Sequence, residues 1–318
     1  MARPRAHHYV PVFYLKGFTS PLPRDKGFLW VYEKNKPIRK SQPVNEAHER
    51  DLYSYEDNEG TDQNLEVGLS KIESMFAPFF QQIDRGYHDF HPEESEGLAV
   101  FMALLWIRGP VGRDFVKKLS ADTMKFVAKE TAKDPDKFKK QYEEFLAKEG
   151  TKTKLSADEM RAFILGDDWE VEQKNHGYTL KRMFEGLPFI ISLLRGKPWD
   201  VLYTEDDQYF CTSDCPVVTI LPERSGVVSV GAGFGLPGVE VFFPLTKGKC
   251  LVLRDRARRS GGLITGKMVR EINKFMMVGA RRFIYAAEKN RAMQNVFDKI
   301  GCNSIPGINA FMREPKPK

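Results

Sequence analysis

Only four cysteines occur in 318 residues, Cys211, Cys215, Cys250 and Cys302. That is too few for a disulfide scaffold and fits a reducing compartment. No run approaches the ~20 apolar residues that a bilayer span needs. The opening Met1-Ala-Arg-Pro-Arg-Ala-His-His has no apolar stretch of the signal-peptide kind. The expectation is a cytoplasmic chain with no membrane partner. Several chemical signatures are missing as well. There is no Gly-x-Ser-x-Gly elbow for a serine nucleophile. Cys211 and Cys215 have no second pair at zinc spacing. The glycines at 231, 233, 235 and 238 lack the Lys-Ser/Thr of a phosphate loop, and Pro237 leads into a strand pattern, not a helix. That stretch reads as a flexible connection, conceivably a lid. No internal repeat or low-complexity segment is present.

What is present is an ordinary globular balance, 42% hydrophobic and 29% charged. The net charge of +6 is unevenly spread. Residues 251–318 hold 15 Lys/Arg against 5 Asp/Glu, a local +10, and the remainder carries −4. Such asymmetry hints at a polyanionic partner, although a solvated basic face would look the same.

The hydrophobic period changes twice along the chain. Phe28–Tyr32 and Asp51–Tyr55 read as short strands. Within the aromatic N-terminal segment, Pro11 can open a helical turn and Gly17 can close it. From about Asp62, apolar residues recur every three to four positions from Leu65 to Ile83, predicting an amphipathic helix that Pro78 kinks or divides. A helix from Pro92 to Arg108 is apolar nearly all round at Leu98–Ile107, so it should be the most buried. Gly109-Pro110 ends it. Residues 113–166 read as charged helices, with Ser156 and Glu159 forming a capping box. A further helix over 171–194 should be interrupted at Gly186-Leu187-Pro188. After Trp199 the pattern turns to strands at about 200–204, 209–212, 217–221, 227–230, 239–243 and 250–253. A helix over 267–278, a strand at 283–286 and a helix over 291–300 follow.

The order lacks regular β-α alternation, so the expected class is α+β. The expected architecture is a small, mostly antiparallel sheet built from N- and C-terminal strands, with a large helical middle. One domain over 1–318 with a helical insertion at about 62–196 is expected. The alternative is a helical domain over 62–196 and a β-rich domain over 197–300.

The run His7-His8-Tyr9-Val10-Pro11-x-Phe13-Tyr14-Leu15-x-x-Phe18 is specific. Further pieces follow it: Leu29-Trp-Val-Tyr32, Asp51-Leu-Tyr53, Ile72-Glu73, Arg108-Gly-Pro110, Thr212-Ser-Asp-x-Pro216, Phe243-Pro-Leu245 and Asn273. Together they resemble a bacterial family of unassigned function, domain of unknown function forty-two thirty-eight, over nearly the whole chain. Cys215 stands where that family commonly has a polar residue, and Gly109 where Thr is more usual. The resemblance implies kinship and supplies no activity.

Chemistry is expected at the polar residues of these pieces. Imidazoles of His7 and His8 are typical metal ligands and general bases, although both could simply anchor the N-terminal turn. Asp51, Glu66, Glu73 and Asp214 offer hard oxygens suited to Mg²⁺ or Mn²⁺, which would activate water for phosphodiester hydrolysis. Glu66 and Glu73, seven apart, share one helical face. Glu73 could instead pair with Arg108. Asp214 and Ser213 are also favoured turn formers. Arg108 and the basic stretch Arg254, Arg256, Arg258 and Arg259 suit phosphate.

The leading expectation is a metal-assisted phosphodiesterase or nuclease acting on nucleic acid, in a bacterial defence or toxin-like setting. The catalytic residues would be His7, His8, Asp51, Glu73 and Asp214. The alternative is a non-catalytic binding or sensor module with a protein partner. A third option, a small-molecule hydrolase, would need a deep apolar pocket.

Overall fold

The computed structural model describes residues 5–21, 26–57, 60–62, 64–84, 92–149, 155–172, 176–205, 207–222, 228–255 and 262–300. The chain divides into two compact units, residues 1–115 with 180–318, and residues 116–179. The architecture is α+β, with small sheets built from N- and C-terminal strands and helices in the middle of the chain.

In the larger unit, β1 (Ala6–His8) pairs antiparallel with β4 (His48–Arg50). A four-stranded sheet has the order β3-β2-β14-β8, from β3 (Arg39–Ser41), β2 (Leu29–Glu33), β14 (Phe283–Ala286) and β8 (Thr212–Ser213). Thus an N-terminal strand lies against a C-terminal one, Val31 opposite Tyr285. The second sheet runs β10 (Val228–Val230), β9 (Val218–Pro222), β11 (Glu240–Thr246), β12 (Lys249–Leu253), β7 (Trp199–Tyr203), β13 (Gly262–Leu263). All its pairs are antiparallel except β13 with β7. A small hairpin joins β5 (Tyr55–Asp57) and β6 (Gly60–Asp62).

One apolar core serves both larger sheets. Tyr32, Ile284 and Ala286 enter it from the four-stranded sheet, and Ile220, Phe242 and Val252 from the six-stranded one. Val269, Ile272 and Met276 enter from α8 (Gly266–Gly279), and Phe297 from α9 (Arg291–Ile300). The N-cap Thr265 accepts the Met268 N–H and fixes where α8 begins.

A second aromatic cluster positions the helices that matter for chemistry. Phe80 of α2 (Asn64–Asp84) lies 5.2 Å from Phe101 of α3 (Pro92–Arg108). It also lies 5.8 Å from Tyr14 of α1 (Val12–Lys16). Tyr14 stacks on Phe243 of β11 at 5.4 Å, and its hydroxyl donates to the Pro244 carbonyl. Burying a ring of this size contributes roughly 1.5–3 kcal/mol. Phe80→Ala would therefore loosen α2 from α3, at a cost of about 3–5 kcal/mol. As its all-round apolar sequence requires, α3 is buried at nearly every position from Leu98 to Leu105. It ends at Arg108, and α4 (Pro110–Ala132) starts after Gly109.

Residues 116–179 contain the rest of α4, then α5 (Pro135–Glu149) and α6 (Ala157–Leu165). Ser156 and Glu159 make the expected capping box at the start of α6. Arg161 donates to the Ala132 carbonyl, and the Lys125 ammonium to the Trp169 carbonyl.

Three local expectations need correction. Pro78 does not divide α2, and Pro188 does not interrupt α7 (His176–Arg195). A proline removes one N–H donor, and the buried apolar faces of these helices outweigh that loss. Residues 51–53 form a turn instead of a strand, because Asp51 takes φ 55, a left-handed conformation that Asp tolerates. The glycine-rich 231–238 connection is pinned, not lid-like. Phe234 is buried 5.1 Å from Trp106, and the Gly238 N–H is held by Asp255. Gly238 itself needs its φ of 81 to make that turn. Among the described residues, no helix is long and apolar enough to cross a membrane.

Candidate functional site

Strand alternation separates the two histidines. His7 faces inward and is fully buried; His8, opposite His48, is half-buried. The left-handed turn at Asp51 aims the Tyr53 N–H at His7, and it donates to Nδ1 at 3.0 Å. The imidazole is therefore the neutral Nε2–H tautomer. Its ring stacks on Tyr53 with centroids 5.7 Å apart. Nε2 is buried and has no hydrogen-bond partner among the described residues.

Glu66, in the first turn of α2, approaches His7 Nδ1 to 4.0 Å. Because Nδ1 already accepts a main-chain N–H, this is a carboxyl beside a neutral ring, not an ion pair. Two turns on, Glu73 Oε1 meets Arg108 at 2.6 Å. Arg108 is 1% exposed, while the Glu66 and Glu73 side chains keep 26% and 24% of their surface. The cluster therefore reaches solvent through its carboxyls. Arg113, in the first turn of α4, holds Glu49 with both terminal nitrogens and lies over the Tyr9 ring. Nε of Arg108 and of Arg113 are buried without hydrogen-bond partners among the described residues.

The electrostatics separate these groups. Burial chiefly, with the charge of Arg108 beside it, lowers the pKa of His8 to about 4, so it is neutral at physiological pH. Burial raises the Glu66 carboxyl, helped by Glu73 and opposed by Arg108. With Glu49 on Arg113 and Glu73 on Arg108, Glu66 is the carboxyl best placed to exchange a proton.

Not every expected residue joins them. His7, Glu73 and Arg108 converge, and Glu66 with them, while His8 lies on the other face of β1 beside the His48 ring. Asp51 faces away, bound by Arg5 at 2.8 Å and by Arg50. Asp214 is buried, and its oxygens accept the N–H groups of Arg281, Arg282 and Phe283 at 2.8, 2.7 and 3.1 Å. Burial pushes its carboxyl up to about 6 against the pull of those N–H groups. It joins the turn after β8 to the start of β14, a structural task that occupies both oxygens. The Ser213 hydroxyl accepts the Cys215 N–H, as a turn former does. Arg254 is buried between Asp200 at 2.8 Å and Glu240 at 3.3 Å, so its charge is already matched inside the protein. Arg256, Arg258 and Arg259 lie outside the described residues.

Among the described residues, no group of three or more His, Cys, Asp or Glu side chains is arranged to hold a metal ion. The Mg²⁺ or Mn²⁺ site expected from the carboxylates is not assembled, because Asp51 and Asp214 are committed elsewhere. His48, Glu49 and Arg113 were not anticipated. Arg113 alone had a signal, five residues past Arg108 across a Gly-Pro break.

No curated protein and no solved structure matches the chain. A family model described as "Protein of unknown function (DUF4238)" matches residues 6–290. That span includes β1 with both histidines, α2 with both glutamates, and Arg108. The chain belongs to this family of unknown function, DUF4238.

Proposed function

We propose that the chain is a phosphodiester hydrolase acting on nucleic acid, with its centre at His7, Glu66, Glu73 and Arg108. One observation carries the reading. A buried guanidinium, a neutral imidazole and two carboxyls meet where β1, α2 and α3 come together, and the carboxyls open to water. Attack on phosphorus needs a proton acceptor for the incoming hydroxyl, a proton donor for the departing oxygen and cationic support for the phosphoryl oxygens. Glu66 takes a proton from the attacking water as its oxygen bonds to phosphorus, and returns it to the leaving oxygen as that P–O bond breaks. Arg108 lends its positive charge from the buried side of the carboxyls, and His7 backs Glu66 from the interior. Protein groups account for each role, and a metal ion arriving with the phosphate would add to them.

The test is cleavage of RNA and DNA by the purified protein in chelator and in Mg²⁺, Mn²⁺ or Zn²⁺. Glu66→Gln should lose at least ~100-fold in rate, the scale of general acid–base catalysis, with its thermal melt unchanged. No cleavage under any of these conditions would remove the reading.

A second reading is a non-catalytic binding or sensor module, within a defence or toxin-like system. It is favoured by the seal around His7 and Arg108, each satisfied in part by the fold itself. A protein partner would suit the exposed apolar side chains of residues 116–179, Leu119, Phe126, Val127, Phe145 and Phe163. In that case every loss of cellular activity would track loss of stability.

A further inference from the structure

The β2–β3 hairpin places four cations within seven residues, Lys34, Lys36, Arg39 and Lys40, at the edge of the four-stranded sheet. Arg39 is committed to Glu46, which it holds at 2.5 and 2.9 Å. Lys40 is not buried in this way. Its ammonium lies 4.3 Å from the centre of the Phe28 ring and 5.1 Å from that of Trp30. A second ammonium, from Lys289 just beyond β14, lies 5.5 Å from the same indole. Both lysines are exposed, and both rings are half-buried and meet edge-on at 5.6 Å. The cross-strand partners of Trp30 are Lys40 and Ala286, and the indole packs partly against the apolar core while the rest of its surface stays open.

A lysine on an edge strand discourages pairing with another chain. Two lysines from different strands converging on one indole, with a second ring beside it, do more than that purpose requires. We infer that Phe28, Trp30, Lys40 and Lys289 form a docking platform for single-stranded nucleic acid. A base stacks on the indole, and the two ammoniums turn from the ring to the flanking phosphates. The inference rests on the nucleic-acid reading above and names the form of the substrate. In a duplex the base faces are already stacked on one another, so a ring cannot take them without opening the helix. From β3 the chain passes through one 3₁₀ turn, Pro43–Asn45, to β4, whose His48 and Glu49 flank the candidate centre. The Arg39–Glu46 pair fixes that connection.

The experiment measures equilibrium binding of short RNA and DNA strands, and of their duplexes, by fluorescence anisotropy. The Glu66→Gln chain is used so that no substrate is consumed. Single strands should bind more tightly than duplexes and quench tryptophan emission. Trp30→Leu should weaken binding about 10-fold, and Lys40→Glu with Lys289→Glu should weaken it further while flattening its salt dependence. The lysine changes lie on exposed side chains and keep the test valid if Trp30→Leu does not fold. Equal affinity for duplexes, or unchanged affinity in the lysine variant, overturns the platform. Binding that needs the platform, with no cleavage by the wild-type chain, supports it and defeats the hydrolase reading alone. Cleavage that survives the lysine changes at unaltered KM defeats the platform alone.

Discussion

Tyr53 holds His7 twice, by a main-chain N–H donated to Nδ1 at 3.0 Å and by its ring stacked on the imidazole. A backbone donor selects the tautomer, and the stacked phenol fixes the plane. The imidazole is thereby made a donor at Nε2, whatever it meets there.

Replacing His7 tests that relationship. His7→Ala leaves the Tyr53 N–H buried without an acceptor and removes a fully buried ring, so a loss of about 3 kcal/mol is expected in urea unfolding. His7→Asn, whose amide oxygen can take the same N–H, should recover part of it. Equal losses for the two variants would mean the hydrogen bond contributes nothing.

The Glu73–Arg108 pair should behave as a buried ion pair does. Glu73→Gln leaves a sealed guanidinium without its counter-charge, at about 3 kcal/mol. The double change Glu73→Leu with Arg108→Met should restore most of that stability while leaving no hydrolase. The coupling is read from a double-mutant cycle of denaturant midpoints. Additive losses would show that the two side chains do not depend on each other.

Two buried groups pull the pH dependence of stability in opposite directions. The unfolded chain protonates His8 near 6.5 and the folded one only near about 4. His8 therefore contributes stability above pH 6.5 that is lost as pH falls through that window. Asp214 is raised from 3.8 to about 6, so its contribution is present at low pH and lost as pH rises through 6. His8→Phe should remove on the order of 2 kcal/mol of the acid-side decline, after allowing for its partial exposure. Asp214→Asn should remove a loss of opposite sign. Urea melts at several pH values between 4 and 7 provide the comparison, and parallel curves for wild type and variants would refute both assignments.

Arg254 makes a contrast with the basic surface. Arg254→Ala strands Asp200 and Glu240, which are 14% and 13% exposed, and should cost about 3 kcal/mol of stability. Affinity for nucleic acid should be unchanged in anisotropy titrations. A selective loss of binding with a normal melt would return this residue to the phosphate-contacting set.

Much of the fold was legible because its signals are local. The period of α2, the all-round apolarity of α3, the capping box of α6 and the β-rich run after Trp199 are each written in neighbouring residues. The convergence of His7, Glu73 and Arg108 was readable only as membership in separate motifs, since nothing in spacing says that β1 lies against α2. Asp51 and Asp214 show the limit of residue type. Both are carboxylates within family motifs, yet one is claimed by Arg5 and the other by three main-chain N–H groups, partners that are 46 and more than 60 residues distant. Turn conformations such as φ 55 at Asp51 were equally out of reach. The edge strand β3 was missed because Arg39-Lys40-Ser41 has neither apolar alternation nor branching, and it is held by pairing alone.

The pairing of β2 with β14 has a temporal cost. Glu33 and Phe283 sit opposite each other although they are 250 positions apart in the sequence. During synthesis β2 emerges early, and its partner is made only after almost every other element. Until then Val31 and Tyr32, both buried at the end, have only the short β3 beside them. Long-range strand pairing of this kind is slow and leaves sticky edges in the meantime. A nascent chain arrested before residue 283 should therefore need chaperones and fall readily to proteases, whatever the stability of the finished protein.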